Sequence, residues 1–144
     1  MDYSPTFAIS AAGMALERAR VEVAALNLAN AHTTQAAGRP AYQPLRVVAQ
    51  AALPEAFAAL LESDRAAGLK PDFRVEPAAV APRMVHEPGH PLADPRGFVS
   101  YPGVDPATEM VSMMSATRAY EANVAAMNAA RTMALKALDI GGTS

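Results

Sequence analysis

Two long stretches of regularly spaced apolar residues lie at the two ends of the chain. The first covers residues 5–30 and the second covers residues 105–138, and in both of them apolar side chains recur every seven positions. A sustained seven-residue repeat is typical of helices that pair through a left-handed coiled-coil seam. The pattern therefore predicts helices of roughly 39 Å and roughly 50 Å, at about 1.5 Å per residue.

Each predicted helix begins with a short polar residue followed by proline. Ser4 precedes Pro5, and Asp105 precedes Pro106. A short polar side chain accepts hydrogen bonds from the free N–H groups of a first helical turn, and proline suits the first helical position. Two glycines at 141–142 predict the end of the second helix.

The apolar face of each helix is wider than one partner helix can cover. Surplus apolar surface on a soluble chain marks contact with other chains. We therefore predict a subunit of an assembly, which packs against other copies of itself or against other subunits. The predicted assembly interface lies along both helices and comprises Phe7, Met14, Val21, Asn27, Leu28, Asn30, Met110, Met113, Met114, Tyr120, Asn123, Val124 and Met127.

The asparagines and methionines of the helices each allow two interpretations. Asn30 could cap its helix while Asn27, Asn123 and Asn128 are exposed, or buried amides could fix register and partner choice. Five of the eight methionines lie within residues 110–133. They could form an ordinary core, or an interface that adapts to non-identical neighbours through flexible thioether side chains.

Prolines separate the two helices from the middle of the chain, because eleven of the twelve lie within residues 40–106. This distribution predicts a mainly α fold in which the two helices pair as a coiled coil around a small β-hairpin or sheet bounded by proline turns. The predicted divisions are an N-terminal helical part (1–34), a proline-rich middle (35–104) and a C-terminal helical part (105–144). Strands are predicted at 45–52, 73–80, 83–86 and 97–101, and a helix at 54–68.

Composition excludes several classes of function. The formal net charge of −2 gives no electrostatic support for a nucleic-acid partner. The absence of cysteine excludes disulfides, thiolate metal sites and a cysteine nucleophile. There is no run of 18 uncharged apolar residues, so no transmembrane helix is expected. The N-terminus lacks a basic region followed by a compact apolar segment, so we expect no cleaved signal peptide.

One catalytic pattern occurs, the H-E-x-x-H of residues 86–90. That motif binds zinc when a helix places both imidazoles on one face. Here Pro88, Gly89 and Pro91 oppose a helix, so the segment is predicted to be a turn. Phosphate-binding glycine loops and the G-x-S-x-G motif are absent. We therefore predict no enzymatic activity, no cofactor, no metal and no small-molecule substrate.

Two segments resemble a known family. Residues 27–34, NLANAHTT, resemble the N-L-A-N-x-x-T-T signature that closes the first helix of bacterial flagellar rod and hook proteins. Residues 87–124 are very similar to the same region of the proximal-rod type, the FlgC family. Residues 39–46 loosely resemble the stretch that follows the signature, but residues 39–44 depart from it, because the family more often has a glycine pair before the proline and basic residues after the tyrosine. Residues 47–80 are unmatched.

The resemblance implies a structural subunit of the proximal rod of the flagellar basal body, a hollow shaft that transmits motor torque to the hook. It implies paired terminal helices at the inner wall of the rod, which tend to be disordered before assembly. The implied partners are other copies, other rod proteins and the membrane-ring and export-gate base. The implied location is the periplasmic rod, reached through the flagellar type III apparatus without a cleaved signal.

Two alternatives remain at this point. One is a secreted helical-hairpin binding module, a chaperone or effector, which would share the two amphipathic helices. The other is a different rod or hook axial protein, because the C-terminal helix pattern is shared widely among them. Those proteins are usually longer than this chain of 144 residues.

Overall fold

The computed structural model of the protein describes residues 4–35, 40–50 and 73–141. In those ranges the chain forms two long helices and four short strands, in the order α1, β1, β2, β3, β4, α2. This content agrees with the predicted mainly α fold. The helix predicted at 54–68 lies outside the described residues.

Helix α1 spans Ser4–Asn30, which matches the predicted range of 5–30. Beyond its first turn it contains no proline, and alanines occupy many of its positions. After the last turn, the N–H of Ala31 donates to the carbonyl of Leu28 (3.2 Å), and the N–H of Thr33 donates to the carbonyl of Asn30 (3.1 Å). These turn hydrogen bonds satisfy carbonyls that the helix end leaves free.

Helix α2 spans Pro106–Gly141. The carboxylate of Asp105 accepts hydrogen bonds from the Thr108 hydroxyl (2.5 Å) and the Ala107 N–H (3.2 Å), so the predicted N-cap is confirmed. These bonds, led by that of Thr108, hold the pKa of Asp105 below its ordinary value. Among the described residues, neither helix has an apolar stretch that could cross a bilayer.

The chain divides into two compact units. The first contains α1 as far as Ala19 and α2 from Ser115 onward, and in it the two helices come close at Gly13. A Cβ added to Gly13 would lie 2.9 Å from both terminal atoms of the Asn123 amide. A side chain at position 13 would therefore displace Asn123, so glycine permits this helix contact.

The second unit comprises Arg20–Val48 and Val75–Met114. It contains the last part of α1, the first turns of α2 and the β3–β4 hairpin. Val99 and Pro102 are among its completely buried side chains. Its core is therefore small and lies where the hairpin leads into α2.

The four strands form two separate two-stranded sheets. Strand β1 (Leu45–Ala49) pairs with β2 (Phe73–Pro77), and β3 (Arg83–His86) pairs antiparallel with β4 (Phe98–Tyr101). The predicted hairpin is thereby confirmed, and β3 has its predicted bounds. Strand β2 ends at Pro77, three residues earlier than predicted, and the N–H of Ala78 beyond it donates to the carbonyl of Pro44 (2.6 Å).

The β3–β4 hairpin has one covered face and one open face. Val85 is paired with Val99, which is completely buried. On the other face, Met84 is 55% exposed and Phe98 is 37% exposed. Since alternate residues of a strand point to opposite faces, this difference follows directly from the register.

Asp94 organises the loop between β3 and β4. Its Oδ1 accepts hydrogen bonds from the N–H groups of Phe98 and Arg96, each at 2.8 Å. The bond from Phe98 is the main reason that the pKa of Asp94 lies below its ordinary value. Gly97 completes the loop at a φ of 81°, a conformation that glycine adopts without strain.

Buried residues of α1 recur every seven positions, as the sequence predicts. They lie mainly outside the apolar row from which that repeat was predicted. The apolar row of Phe7, Met14, Val21 and Leu28 is half-buried. One buried row is made of smaller or polar residues, namely Ser10, Glu17, Ala24 and, just beyond the helix, Ala31, and Val23 and Asn27 are buried as well. Small side chains let neighbouring backbone approach closely, which leaves the larger apolar groups at the flanks.

Replacing Gly103 by alanine should destabilise the second unit. The added Cβ would touch the carbonyl oxygen of Ala81 and lie 2.5 Å from Cγ1 of Val80. Because a backbone carbonyl cannot move aside cheaply, we expect a loss of about 1–3 kcal/mol in the free energy of unfolding. Urea unfolding of the purified chain, followed by circular dichroism, measures it.

Gly89→Ala is the matched control, because nothing lies within 4 Å of the position that its Cβ would take. We expect that variant to stay within about 0.5 kcal/mol of the unsubstituted chain. Equal losses in the two variants would contradict the close approach at Gly103.

Candidate functional site

The side chain of Asn27 joins three segments of the second unit. It is 1% exposed. Its Nδ2 donates to the carbonyl oxygen of Leu45 (2.8 Å) and to Oε1 of Glu109 (3.0 Å). Its Oδ1 accepts from the N–H of Leu45 (2.8 Å) and from the hydroxyl of Tyr42 (2.9 Å). These four bonds use both donors and both lone pairs of the amide, which is therefore fully satisfied.

We call these four residues, Asn27, Tyr42, Leu45 and Glu109, the Asn27 network. The amide of Asn27 both donates to and accepts from the backbone of Leu45, as a residue of a neighbouring strand would. A side chain of α1 thus takes the place of a strand beside the first residue of β1. This arrangement fixes where the chain leaves the helix and enters the sheet.

The remaining members of the network are held by their own elements. Glu109 lies in the first turn of α2, where its N–H donates to the carbonyl of Asp105 (3.1 Å). Tyr42 lies in the segment that leads from α1 into β1. The bond from Asn27 to Glu109 connects residues 82 positions apart. The network therefore ties the end of the first helix to the start of the second.

Tyr42 is kept neutral within the network. Burial raises its pKa above the ordinary value, and the negative charge of Glu109 raises it further. A neutral hydroxyl is required for the bond to Oδ1 of Asn27, because a phenolate has no proton to donate.

The other helix asparagines have different roles. Asn30 donates to the carbonyl of Leu26 (2.8 Å) and Asn123 to that of Ala119 (3.0 Å), so each bonds its own helix one turn back. Asn27 is buried, as the second interpretation requires, and its control of register and partner choice stays a prediction. The local, capping interpretation holds for Asn30.

The apolar residues of the predicted assembly interface are incompletely covered in the single chain. On α2, Met110 is 48% exposed, Met114 is 56% exposed and Tyr120 is 40% exposed. The other apolar members are half-buried, namely Phe7, Met14, Val21, Leu28, Met113, Val124 and Met127. Exposed apolar surface on α2 also continues beyond the predicted set, to Met133, Leu135 and Leu138.

Residues 86–90 do not form a helix, and the predicted turn after β3 is confirmed. The ring of His86 packs against Phe98 with 5.1 Å between centroids. Oε2 of Glu87 accepts a hydrogen bond from the Tyr101 hydroxyl (3.0 Å), and Nδ1 of His90 accepts from the N–H of Leu92 (3.1 Å). Across the described ranges, no group of three histidine or acidic side chains could hold a metal ion.

An open cleft of about 260 Å³ lies beside the Asn27 network. Its lining includes Ala24 from α1, Val47 from β1, and Thr108 and Ser112 from α2. Glu109 also lines the cleft, and its carboxylate already accepts the bond from Asn27. Two members of the network, Leu45 and Glu109, therefore line an open cleft of the second unit.

Tyr42 and Glu109 were not among the residues predicted from sequence. Both contact Asn27 from positions 15 and 82 residues away, beyond the reach of helix or strand periodicity. The sequence does place Glu109 in the first turn of a helix, where a carboxylate is favoured. That preference needs no specific partner, so it does not indicate the bond to Asn27.

Comparisons with known proteins match this chain to flagellar rod proteins. Residues 96–140 match the family model of the flagellar basal body rod FlgEFG protein C-terminal region. The chain is 36% identical to the flagellar basal-body rod protein FlgC of Bacillus subtilis, over 92% of this chain and 94% of that protein. It is 38% identical to FlgC of Salmonella typhimurium, over 94% and 95%. It is 33% identical to FlgC of Aquifex aeolicus, over 89% of each chain.

Replacing Asn27 by leucine should lower the free energy of unfolding by about 2–4 kcal/mol, because the Tyr42 hydroxyl and both backbone groups of Leu45 would lose their partner. Asn30→Leu is the control, since it removes one local bond at an exposed amide. We expect it to cost less than about 1 kcal/mol. Chemical unfolding of the two variants compares them, and similar losses would contradict a central role for Asn27.

Alkaline pH should weaken the fold through Tyr42. Its folded-state pKa is raised above the ordinary value of 10.0. The resulting stabilisation is complete below the unfolded-state pKa and is lost as pH rises through the folded-state pKa. The free energy of unfolding, measured with urea, should therefore be lower above pH 10 than at pH 8. This difference should be smaller in Tyr42→Phe than in the unsubstituted chain. The same drop in Tyr42→Phe as in the control Tyr120→Phe would exclude Tyr42 as its cause.

Proposed function

Because the chain belongs to the FlgC family of flagellar basal-body rod proteins, we propose that its two helices pair as a coiled coil and pack beside those of neighbouring subunits in a torque-carrying shaft. The chain is a structural subunit of the basal-body rod and assembles with other rod components in the flagellar basal body. The family is one of structural proteins with no known enzymatic activity, as predicted from the sequence.

The likeness to FlgC proteins over more than nine-tenths of the chain is the observation that carries this proposal. It includes the middle segment together with both helices. A helical-hairpin binding module would share the helices alone, so that alternative is not favoured. The likeness to FlgC over nearly the full length also supports a place in the proximal rod.

Two helix contacts support pairing as a coiled coil. In the first unit Gly13 faces Asn123, and in the second unit Asn27 bonds Glu109. Each contact brings a residue of α1 against a residue of α2 within its own unit, as paired helices require.

Exposed apolar surface on α2 supports lateral packing between subunits. Met110, Met114 and Tyr120 are each at least 40% exposed in the single chain. Covering such groups stabilises an assembly by about 25 cal/mol for each Å² of apolar area removed from water. Many such contacts along parallel subunits oppose slipping, and resistance to slipping is what torque transmission requires.

The proposal extends to specific partners and to the route of export. Neighbours would be further copies of this chain, other rod proteins and the membrane-ring and export-gate base. Export would use the flagellar apparatus and leave residues 4–30 in the mature subunit. This retention matters because Phe7 and Met14, in that range, are two of the predicted assembly residues. N-terminal sequencing of the protein from purified basal bodies tests it.

Replacing Val124 by aspartate should prevent rod assembly while synthesis of the protein continues. Val124 is half-buried on α2 and belongs to the predicted interface, so a carboxylate there would be desolvated without a partner. The measurements are swimming in soft agar and the amount of the chain in detergent-extracted basal bodies. The expected result is loss of both, at a normal cellular level of the protein.

Val75→Asp provides the matched control, since Val75 is 48% exposed on β2 and lies outside the predicted interface. Circular dichroism of both purified variants shows whether either change unfolds the chain. A motile strain that carries Val124→Asp would refute the role given to this position. Absence of the unsubstituted chain from basal bodies would refute the proposed function.

A further inference from the structure

The open face of the β3–β4 hairpin exposes two large apolar side chains, Met84 and Phe98. Met84 and His86 lie on this face, opposite Ser100 and Phe98 in the antiparallel register. We call these four residues the hairpin patch. The solvent face of an antiparallel sheet is normally polar. Here Met84 is 55% exposed, and Phe98 is 37% exposed beside the ring of His86.

The same unit has a second exposed apolar surface, on the first turns of α2. Met110 is 48% exposed, Val111 is 65% exposed and Met114 is 56% exposed. Residues four apart are neighbours on a helix, so Met110 and Met114 lie on one side with Val111 next to them. We call these three residues the helix patch. Both patches are exposed, so within residues 4–35, 40–50 and 73–141 no segment covers either one.

We propose that the hairpin patch of one subunit packs against the helix patch of a neighbouring copy of the same chain. This inference rests on the proposed rod function. In an assembly that does not close on itself, each subunit contacts its neighbours through two different surfaces. The second unit carries two such surfaces on one compact body, which is the arrangement that a repeated head-to-tail contact requires.

The chemistry of the two patches supports their pairing. Neither contains an aspartate, glutamate, lysine or arginine, so burying them together removes no carboxylate, ammonium or guanidinium group from water. Each contains an exposed methionine, whose flexible side chain fills irregular space between surfaces. The aromatic ring of Phe98 on one side would face the thioethers of Met110 and Met114 on the other, a favourable combination.

The size of the patches determines where the contact forms. Each consists of three or four side chains, far less than the roughly 800 Å² per partner of a stable independent interface. We therefore expect the contact only where helix packing already holds two copies side by side. The test must use assembled rods instead of the isolated chain.

The absence of cysteine from the chain makes a direct cross-linking test possible. Two differently tagged chains, one with Met84→Cys and one with Met114→Cys, are expressed together, and their purified basal bodies are oxidised. We expect a disulfide-linked dimer that carries both tags. The control replaces the second chain by one with Met133→Cys, since Met133 is 58% exposed and lies outside both patches. The expected yield is at least five times that of the control.

Two results would overturn the contact while leaving the rod function intact. One is basal bodies that contain both chains with no mixed dimer above the control. The other is efficient dimer formation by chains with Met84→Cys alone, which would show a symmetric contact instead. Absence of even the unsubstituted chain from basal bodies would overturn the rod function itself.

If the cysteine variants do not assemble, a pair of charged substitutions tests the same contact. Met84→Lys alone should reduce swimming at least five-fold, because a lysine would face the apolar helix patch. Adding Met114→Glu to the same chain should restore swimming, since each lysine would then meet a glutamate of the next copy. Normal swimming of the single variant, or no rescue by the double variant, would overturn the contact.

Discussion

The four hydrogen bonds of the Asn27 amide hold together three segments of the second unit. The amide is buried and uncharged, and it uses every donor and acceptor that it has. Through it the end of α1, the start of β1 and the first turn of α2 have a common anchor. A buried polar group with four partners stabilises only one arrangement, since any other arrangement leaves some of those partners unsatisfied.

Along the two helices, several buried positions carry small or polar side chains while many large apolar ones are exposed. The fully buried positions of α1 include Ser10, Glu17 and Ala24, while Met114 and Leu138 on α2 are more than half exposed. A protein that functions alone would hide its methionines and leucines first. This distribution suits a subunit whose burial of apolar surface is completed by neighbours, and it explains why methionine, the most adaptable apolar residue, is so common on α2.

Local chemistry made the helices and strands predictable. The Asp105 cap placed the start of α2, and β3 was predicted with its observed bounds. Glycine and proline likewise showed that residues 86–90 are a turn. Each of these features depends on residues a few positions apart, which a single sequence displays directly.

The partners of Asn27 could not be predicted, for a physical reason. An asparagine near a helix end has several local uses, and only the tertiary fold brings Tyr42 and Glu109 to it. The buried row of α1 was missed for a related reason, because close approach selects small residues such as Ser10 and Ala24 over large apolar ones. Sequence periodicity reports which spacing a helix uses, and packing decides which of its faces is innermost.

The span of the bond between Asn27 and Glu109 also constrains the order in which the chain can fold. The hairpin joins residues that are near in sequence, and hairpins form within about 1–10 μs. The Asn27–Glu109 bond, in contrast, closes a separation of 82 residues. A chain that emerges from a narrow passage C-terminus first therefore has its hairpin residues 83–101 free well before Asn27, whereas one that emerges N-terminus first has them free only shortly before Glu109. In either direction the chain cannot complete its anchor until more than half of its length has emerged, which delays consolidation of the fold until delivery is nearly finished.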